Sequence, residues 1–246
     1  ALERAVSDSA FPGGEVLAGK NGEIFLHKAF GYHTYSNKTP IMRGNIYDLA
    51  SITKVIATTS AVMKLVEANK LSLNDKVITY LPAFKGKQKE YFDHKSRVTI
   101  RHLMTHTSGL PPFKKYFLMD NNIQTRLDSI LNTEPEIGLN EKTVYSDVGL
   151  IVLGKIIESV SLKSLDAFVD SVIFNPLGMK STFYNPPNDK IKRVVPTEYN
   201  DLYGELIRGY VHDENAKSIG GVAGHAGLFS TASDLAIFSQ MMINGG

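Results

Sequence analysis

From Ile52 onward, apolar residues recur at helical spacing (Ile52, Val55, Ile56, Val62, Met63, Val66), and others fill most positions between them. A helix that is apolar nearly all round is a buried one. The pattern therefore predicts a central buried helix, ended by Asn69 in the manner of a C-cap. Residues 1–10 read as the end of a helix, closed by Phe11-Pro-Gly-Gly14. Residues 15–20 and 23–30 flank Asn21-Gly22, a strong hairpin signal. Residues 31–45 are polar and turn-rich, and 73–81 form a short segment stopped by Pro82. The lysine-rich stretch 83–97 reads as an exposed loop, and 98–104 as a short helix feeding the turn cluster Thr105-His-Thr-Ser-Gly-Leu-Pro-Pro112. The pattern from 113 to 180 is helical, clearest over 148–160 and 165–174. Pro186, Pro187 and Pro196 mark an irregular connection. Thr231-Ala-Ser-Asp234 resembles a capping box opening a last helix through Met242.

Composition narrows the function classes. At 246 residues the chain can bury a sizeable core as one large domain or two coupled ones. A net charge of +2, with no basic run interleaved with aromatics, argues against a nucleic-acid partner. Without cysteine there is no disulfide, thiol nucleophile or Cys-based zinc site. The seven histidines show no metal-binding spacing, and no cofactor motif is present, so neither metal nor cofactor is expected. No apolar run reaches transmembrane length. Nothing in the sequence sets the oligomeric state.

The chemistry concentrates at the mouth of the central helix. Ser51 lies where unpaired backbone N–H groups and the positive end of the dipole gather. Lys54, three residues on, can reach back to the same turn. Its own helical face continues through Thr58, Ala61 and Leu65, which offers it no carboxylate. A serine hydroxyl needs a nearby base to become a nucleophile, and a lysine in a dry, apolar setting loses proton affinity. The N–H groups at the helix start can stabilise an oxyanion. The bland alternative is a Ser N-cap followed by a chance lysine, a spacing expected about once in a chain of this length.

Ninety-four residues after Ser51 comes Tyr145-Ser-Asp147, at the start of an apolar helix. A phenol beside a lysine can share its proton with a leaving group, although a capping residue beside a packed tyrosine would look the same. His106 reads as a hydrogen-bonded structural histidine near a cleft. Gly220-Gly-Val-Ala-Gly-His-Ala-Gly227 is a glycine-rich loop with one histidine, suited to close backbone approach.

Ser51-Ile-Thr-Lys54, Leu103-Met-Thr-His-Thr-Ser-Gly-Leu-Pro111, Tyr145-Ser-Asp147 and Gly227-Leu-Phe-Ser-Thr-Ala-Ser-Asp-Leu-Ala236 occur in one order. In that order and approximate spacing the chain resembles the serine penicillin-recognising family, above all its class C β-lactamase branch with related DD-peptidases and esterases. The resemblance runs along essentially the whole chain. It implies an α/β fold of the β-lactamase/transpeptidase type, an antiparallel sheet flanked by helices beside a mostly helical region. It also implies a cleft between them holding the site. The corresponding division is 1–80 for the first part of the α/β region, 81–195 for the helical region and 196–246 for the return. Carried over, Ser51 is the acylated nucleophile and Lys54 its base or proton relay. Tyr145 is a general acid/base, and Asp147 a substrate contact at a position usually held by Asn. Which of Lys54 and Tyr145 is the base stays open.

Two departures matter. Asp147 in place of an amide leans away from a committed β-lactamase. The family's third motif, Lys-Thr-Gly or His-x-Gly, normally lies on a strand well beyond the last helix read here. His225-Ala-Gly227 resembles it but comes 80 residues after Tyr145 and precedes a capped helix instead of forming a strand. His225 and Gly227 are accordingly read as a cleft-lining, substrate-binding loop. Family members usually continue past residue 246 with several strands and a terminal helix, so the C-terminal strands are expected to be missing and the sheet to keep an uncovered edge.

The resemblance implies a serine hydrolase working through an acyl-enzyme on a β-lactam, a D-alanyl peptide or a small carboxylic ester, outside the cytoplasm. A non-catalytic penicillin- or peptidoglycan-binding sensor with the same fold is the alternative. An α/β-hydrolase is disfavoured because no Gly-x-Ser-x-Gly elbow occurs.

Overall fold

The computed structural model describes residues 1–36, 38–86, 88–119, 122–200 and 204–246. Strands β1 (Gly13–Lys20) and β2 (Glu23–Gly31) form the expected antiparallel hairpin, registered from Gly13 opposite Gly31 to Lys20 opposite Glu23. Its two-residue turn puts Asn21 and Gly22 at φ +55° and +80°. This is the left-handed pair that matches strand twist and that Asn-Gly tolerates. Three short strands build a second sheet. In it β3 (Tyr47–Asp48) and β4 (Phe183–Tyr184) flank the later strand Leu228–Ser230, both antiparallel to it. A further antiparallel pair joins Tyr199–Asn200 to Glu205–Leu206. The architecture is thus α/β with antiparallel sheets and many helices. The final helix, Ala232–Ile243, packs on β1.

Leu228–Ser230 corrects one expectation. The segment after His225-Ala-Gly227 is a strand before it is a helix. Its three residues are buried and paired on both edges, a tertiary arrangement that a three-residue run is too short to announce.

The central helix is less regular than its pattern. A 3₁₀ turn (Ala50–Ile52) leads into a π-helical stretch (Lys54–Thr59) and then an α-helix (Ser60–Glu67). Asn69 ends it at φ +54°, with Lys70 N–H bonded back to Leu65 C=O at 2.9 Å, as the C-cap reading required. One side packs on the long helix Asp147–Ser161. There Ala57, Ala61, Val62 and Leu65 meet a core that includes Leu150, Ile151, Leu153 and Ile157. Burial all round is not observed. Ile52, Val55 and Met63 form an open stripe, about half exposed among the described residues.

The helical reading of 113–180 holds over Ile123–Leu131, Asp147–Ser161 and Leu165–Val169, the last continued by a π turn to Phe174. Residues 132–146 are a loop that delivers Tyr145. The stretch 83–97 is not simply an exposed loop, since it contains the helix Lys89–Lys95 and Lys95 is fully buried. The Lys95 ammonium donates to the carbonyls of Leu131 (2.6 Å), Thr133 (3.1 Å) and Lys85 (3.2 Å) above the Phe84 ring. Burial pulls its pKa down to about 8, against the opposing charge of Glu134. Among the described residues no helix is long and apolar enough to cross a membrane.

Candidate active site

Ser51 occupies the 3₁₀ turn at the mouth of the central helix, exposed to solvent. Ala50 before it is held at φ +45°, a left-handed conformation costly for a residue with a Cβ. Asp48 secures that bend. One carboxylate oxygen accepts from Ala50 N–H and the other from His212 N–H, each at 2.8 Å. Burial raises the Asp48 carboxyl pKa, and the two backbone bonds and His212 oppose that rise.

Lys54 is 6% exposed, and its ammonium donates to Ser51 Oγ at 2.7 Å and to the His225 carbonyl at 3.0 Å. Its nitrogen also lies 2.8 Å from Asp147 Oδ1, yet off the line of a hydrogen bond, so that contact is one of charge. The face of Lys54's own helix lacks a carboxylate, as the sequence indicated. The partner comes instead from the first residue of another helix, so the surroundings are not simply apolar. The π-helical widening begins at Lys54, and such local distortions recur at functional sites.

Tyr145 stands half-exposed on the other side, its ring centroid 4.8 Å from the Lys54 nitrogen. The loop bearing it is clamped by His106, whose carbonyl accepts from Val144 N–H at 2.9 Å and whose Nδ1 accepts from Ser146 N–H at 3.1 Å. The His106 ring also packs on Tyr145, centroids 4.6 Å apart. Burial and then the Lys54 charge hold the His106 imidazole below its usual range, with Asp147 opposing. A neutral ring is what lets Nδ1 accept. Ser146 caps the long helix through Gly149 N–H (3.1 Å) and donates to Pro111 C=O (2.7 Å). The structural reading of His106 is therefore right, and it understates how directly this residue supports Tyr145.

The glycine-rich loop lies flat on the long helix. A Cβ on Gly224 would sit 2.1 Å from the Leu150 carbonyl oxygen, so only glycine lets the loop reach its place. Two buried hydroxyls of the central helix fasten it. Thr58 Oγ1 donates to Gly224 C=O at 2.6 Å, and Thr53 Oγ1 accepts from Leu228 N–H at 3.1 Å. His225 is 1% exposed, so its carbonyl faces Lys54 while its ring turns away to Asp213. Gly227, at φ +112°, is the last residue before the strand. The structure thus gathers Ser51, Lys54, Tyr145 and Asp147 into one cluster and sets His225 beneath it. The sequence does not single out Asp48, Thr53 or Asp213, and it presents Thr58 only as part of the Lys54 helical face. The only signal for the threonines was two hydroxyls inside an apolar helix, and for Asp213 its place as a helix cap.

An exposed serine hydroxyl bonded to a buried amine, with a phenol across from it, is an arrangement suited to nucleophilic acyl transfer. The family profile described as Beta-lactamase matches residues 1–246, and the chain belongs to that family. Proteins named "Putative D-alanyl-D-alanine carboxypeptidase" from Salmonella agona and Salmonella typhimurium are 36% identical to it over 97% of the chain. The chain spans 62% of their length. Among solved structures, the octameric penicillin-binding protein homologue from Pyrococcus abyssi superposes with a TM-score of 0.77 at 27% identity. That match covers 98% of this chain and 54% of the other. EstCE1, a hydrolase with promiscuous acyltransferase activity, gives 0.80 at 22% identity, covering 100% of this chain and 71% of the other. A class C β-lactamase from Rhodobacter sphaeroides gives 0.76 at 22%, covering 100% and 64%. The last two share the fold with this chain.

Proposed function

We propose that this chain carries the catalytic centre of a serine hydrolase that cleaves D-alanyl peptides, or simple esters in their place, through an acyl-enzyme. The observation that carries the reading is the 2.7 Å bond between the exposed Ser51 hydroxyl and the buried Lys54 amine. Ser51 Oγ attacks the scissile carbonyl carbon, and its proton passes into the Lys54–Tyr145 pair. The bond to the amine or alcohol breaks as that leaving group takes a proton from the same pair. Water then attacks the acyl carbon, returns a proton to Ser51 by the reverse route and releases the acid. The Ser51 N–H, in the first turn of a helix and so without an acceptor inside that turn, is a donor for the developing oxyanion.

Asp147 supports a peptidase in preference to a lactamase. Its carboxylate is engaged with Lys54, where β-lactamases of the resembling family carry a neutral amide. The names of the Salmonella relatives point the same way. A cell-wall peptide substrate would put this work outside the cytoplasm. The test is release of D-alanine from a D-alanyl-D-alanine peptide, beside hydrolysis of a chromogenic β-lactam, by wild type and Ser51→Ala. Peptide turnover in wild type alone is expected. Faster β-lactam than peptide turnover would contradict the peptidase assignment, and equal rates in the two proteins would contradict Ser51 as nucleophile.

A further inference from the structure

The Lys54 amine is held from below by the main-chain carbonyl of His225, whose buried ring contacts the part-buried Asp213 carboxylate. His225 Nε2 lies 2.8 Å from Asp213 Oδ1. A carboxylate only accepts, so the proton of that bond sits on Nε2. Nδ1 is buried without a partner among the described residues. A bare lone pair tolerates that position, whereas an N–H there would lose its bond to water. The ring is therefore fixed in one tautomer and one orientation. Asp213 is fixed in turn. The same oxygen accepts from Ala216 N–H at 2.7 Å, capping the helix Glu214–Ser218. Burial pushes its carboxyl upward, but the hydrogen bond from His225, the Ala216 N–H and the Lys54 charge outweigh this and hold it below the usual range.

The neighbouring residue completes the pattern. His212 N–H bonds to Asp48, and Asp48 bonds to the N–H of Ala50, the strained residue before Ser51. One dipeptide, His212-Asp213, thus supports the serine through Asp48 and the lysine through His225. We propose that Asp213 and His225 are positioning residues of the catalytic centre, orienting the His225 carbonyl so that the Lys54 amine stays aimed at Ser51 Oγ. Neither touches the reacting atoms. They act through Lys54, and this assignment rests on the reading of Ser51 as nucleophile.

Chemistry at Ser51 then depends on the Asp213–His225 bond and not only on the helix cap, and the two roles can be separated. Asp213→Ser keeps a capping hydroxyl for Ala216 N–H but is too short to reach His225. Asp213→Asn offers an amide oxygen to both donors. His225→Gln restores a donor near the place of Nε2, and His225→Leu removes it without touching the cap. With a p-nitrophenyl ester as substrate, Asp213→Ser and His225→Leu are expected to lose at least tenfold in kcat with KM within twofold. Asp213→Asn and His225→Gln should stay within about threefold of wild type in kcat. A wild-type kcat in folded Asp213→Ser or His225→Leu overturns the proposal. If both unfold, the pair is a folding element and the positioning role is rejected. Ser51→Ala, run alongside, separates the two readings. Loss of activity there with no loss in the Asp213 and His225 variants leaves Ser51 standing and removes only this inference, whereas an active Ser51→Ala removes the nucleophile.

Discussion

At the scale of single residues, the site turns on Lys54 and the groups that hold it. Replacing Lys54 by Ala leaves the Ser51 hydroxyl without its amine and the part-buried Asp147 carboxylate without its opposite charge. Kinetics should register a fall in kcat of roughly a hundredfold or more, the scale of one lost acid–base group. His106 makes a subtler prediction. His106 sits at φ +58°, a left-handed backbone that Asn tolerates, and an Asn there offers an oxygen to Ser146 N–H. His106→Asn should therefore keep kcat within a few-fold of wild type, whereas His106→Ala, which frees the Tyr145 loop, should lose about tenfold. Equal rates in the two variants would show that the clamp does not matter. Ser51, Lys54, Tyr145 and Asp147 were legible in the sequence because each sits at a fixed offset within a local motif. Asp48, His106 and Asp213 were not legible as supports, because, apart from the local bond of Asp48 to Ala50 N–H, their partners lie between 12 and 164 residues away and no local spacing encodes such bonds.

At the scale of elements, the site depends on two helices and a glycine-rich loop being pressed together. Thr58→Val keeps shape but strips the buried Gly224 carbonyl of its donor, and denaturant unfolding should report a loss of about 1–3 kcal/mol. Gly224→Ala is harsher, since the new methyl would overlap the Leu150 carbonyl. Overpacking of this kind costs about 1–3 kcal/mol even where the chain can shift, and any shift moves the His225 carbonyl, so activity should fall further than stability. The hairpin, the Asn69 stop and the last helix could be read from the chain because turn and cap chemistry is local. The strand Leu228–Ser230 could not, because it exists only through partners on both edges. The capping box at Thr231 was half right. Thr231 Oγ1 does accept from Asp234 N–H, but the Asp234 carboxylate leaves the box to bond Ser181 N–H and Thr182 Oγ1. The outward stripe of Ile52, Val55 and Met63 misled the burial reading for a related reason. Periodicity marks which residues are apolar, and only packing decides which are covered.

At the scale of the whole molecule, buried titratable groups set the response to pH. His33, His102 and His106 are all held below the usual imidazole range, in each case first by burial. The unfolded chain then takes up protons at a higher pH than the folded one. Their contribution is complete above about pH 6.5, the unfolded histidine value, and is lost as the pH falls through the lower folded values. Asp213, also held low, adds stability that is present above about pH 3.9 and is lost as the pH falls through its folded value. Asp48, raised by burial, works in the opposite sense. Lys95, held down to about 8 by burial, loses the last of its contribution as the pH falls past that value. Urea midpoints should therefore drop slightly from about pH 8 to 7 and decline further from about pH 6.5 downward. A midpoint that rises on acidification would contradict the assigned burial of these rings. The most direct test of the account is covalent. Wild type and Ser51→Ala would be incubated with a p-nitrophenyl ester, intact mass followed over time and the modified peptide mapped. A transient acyl adduct on the peptide containing Ser51, absent in Ser51→Ala, is the predicted result. An adduct of equal yield in both proteins, or one mapped to another residue, would contradict it.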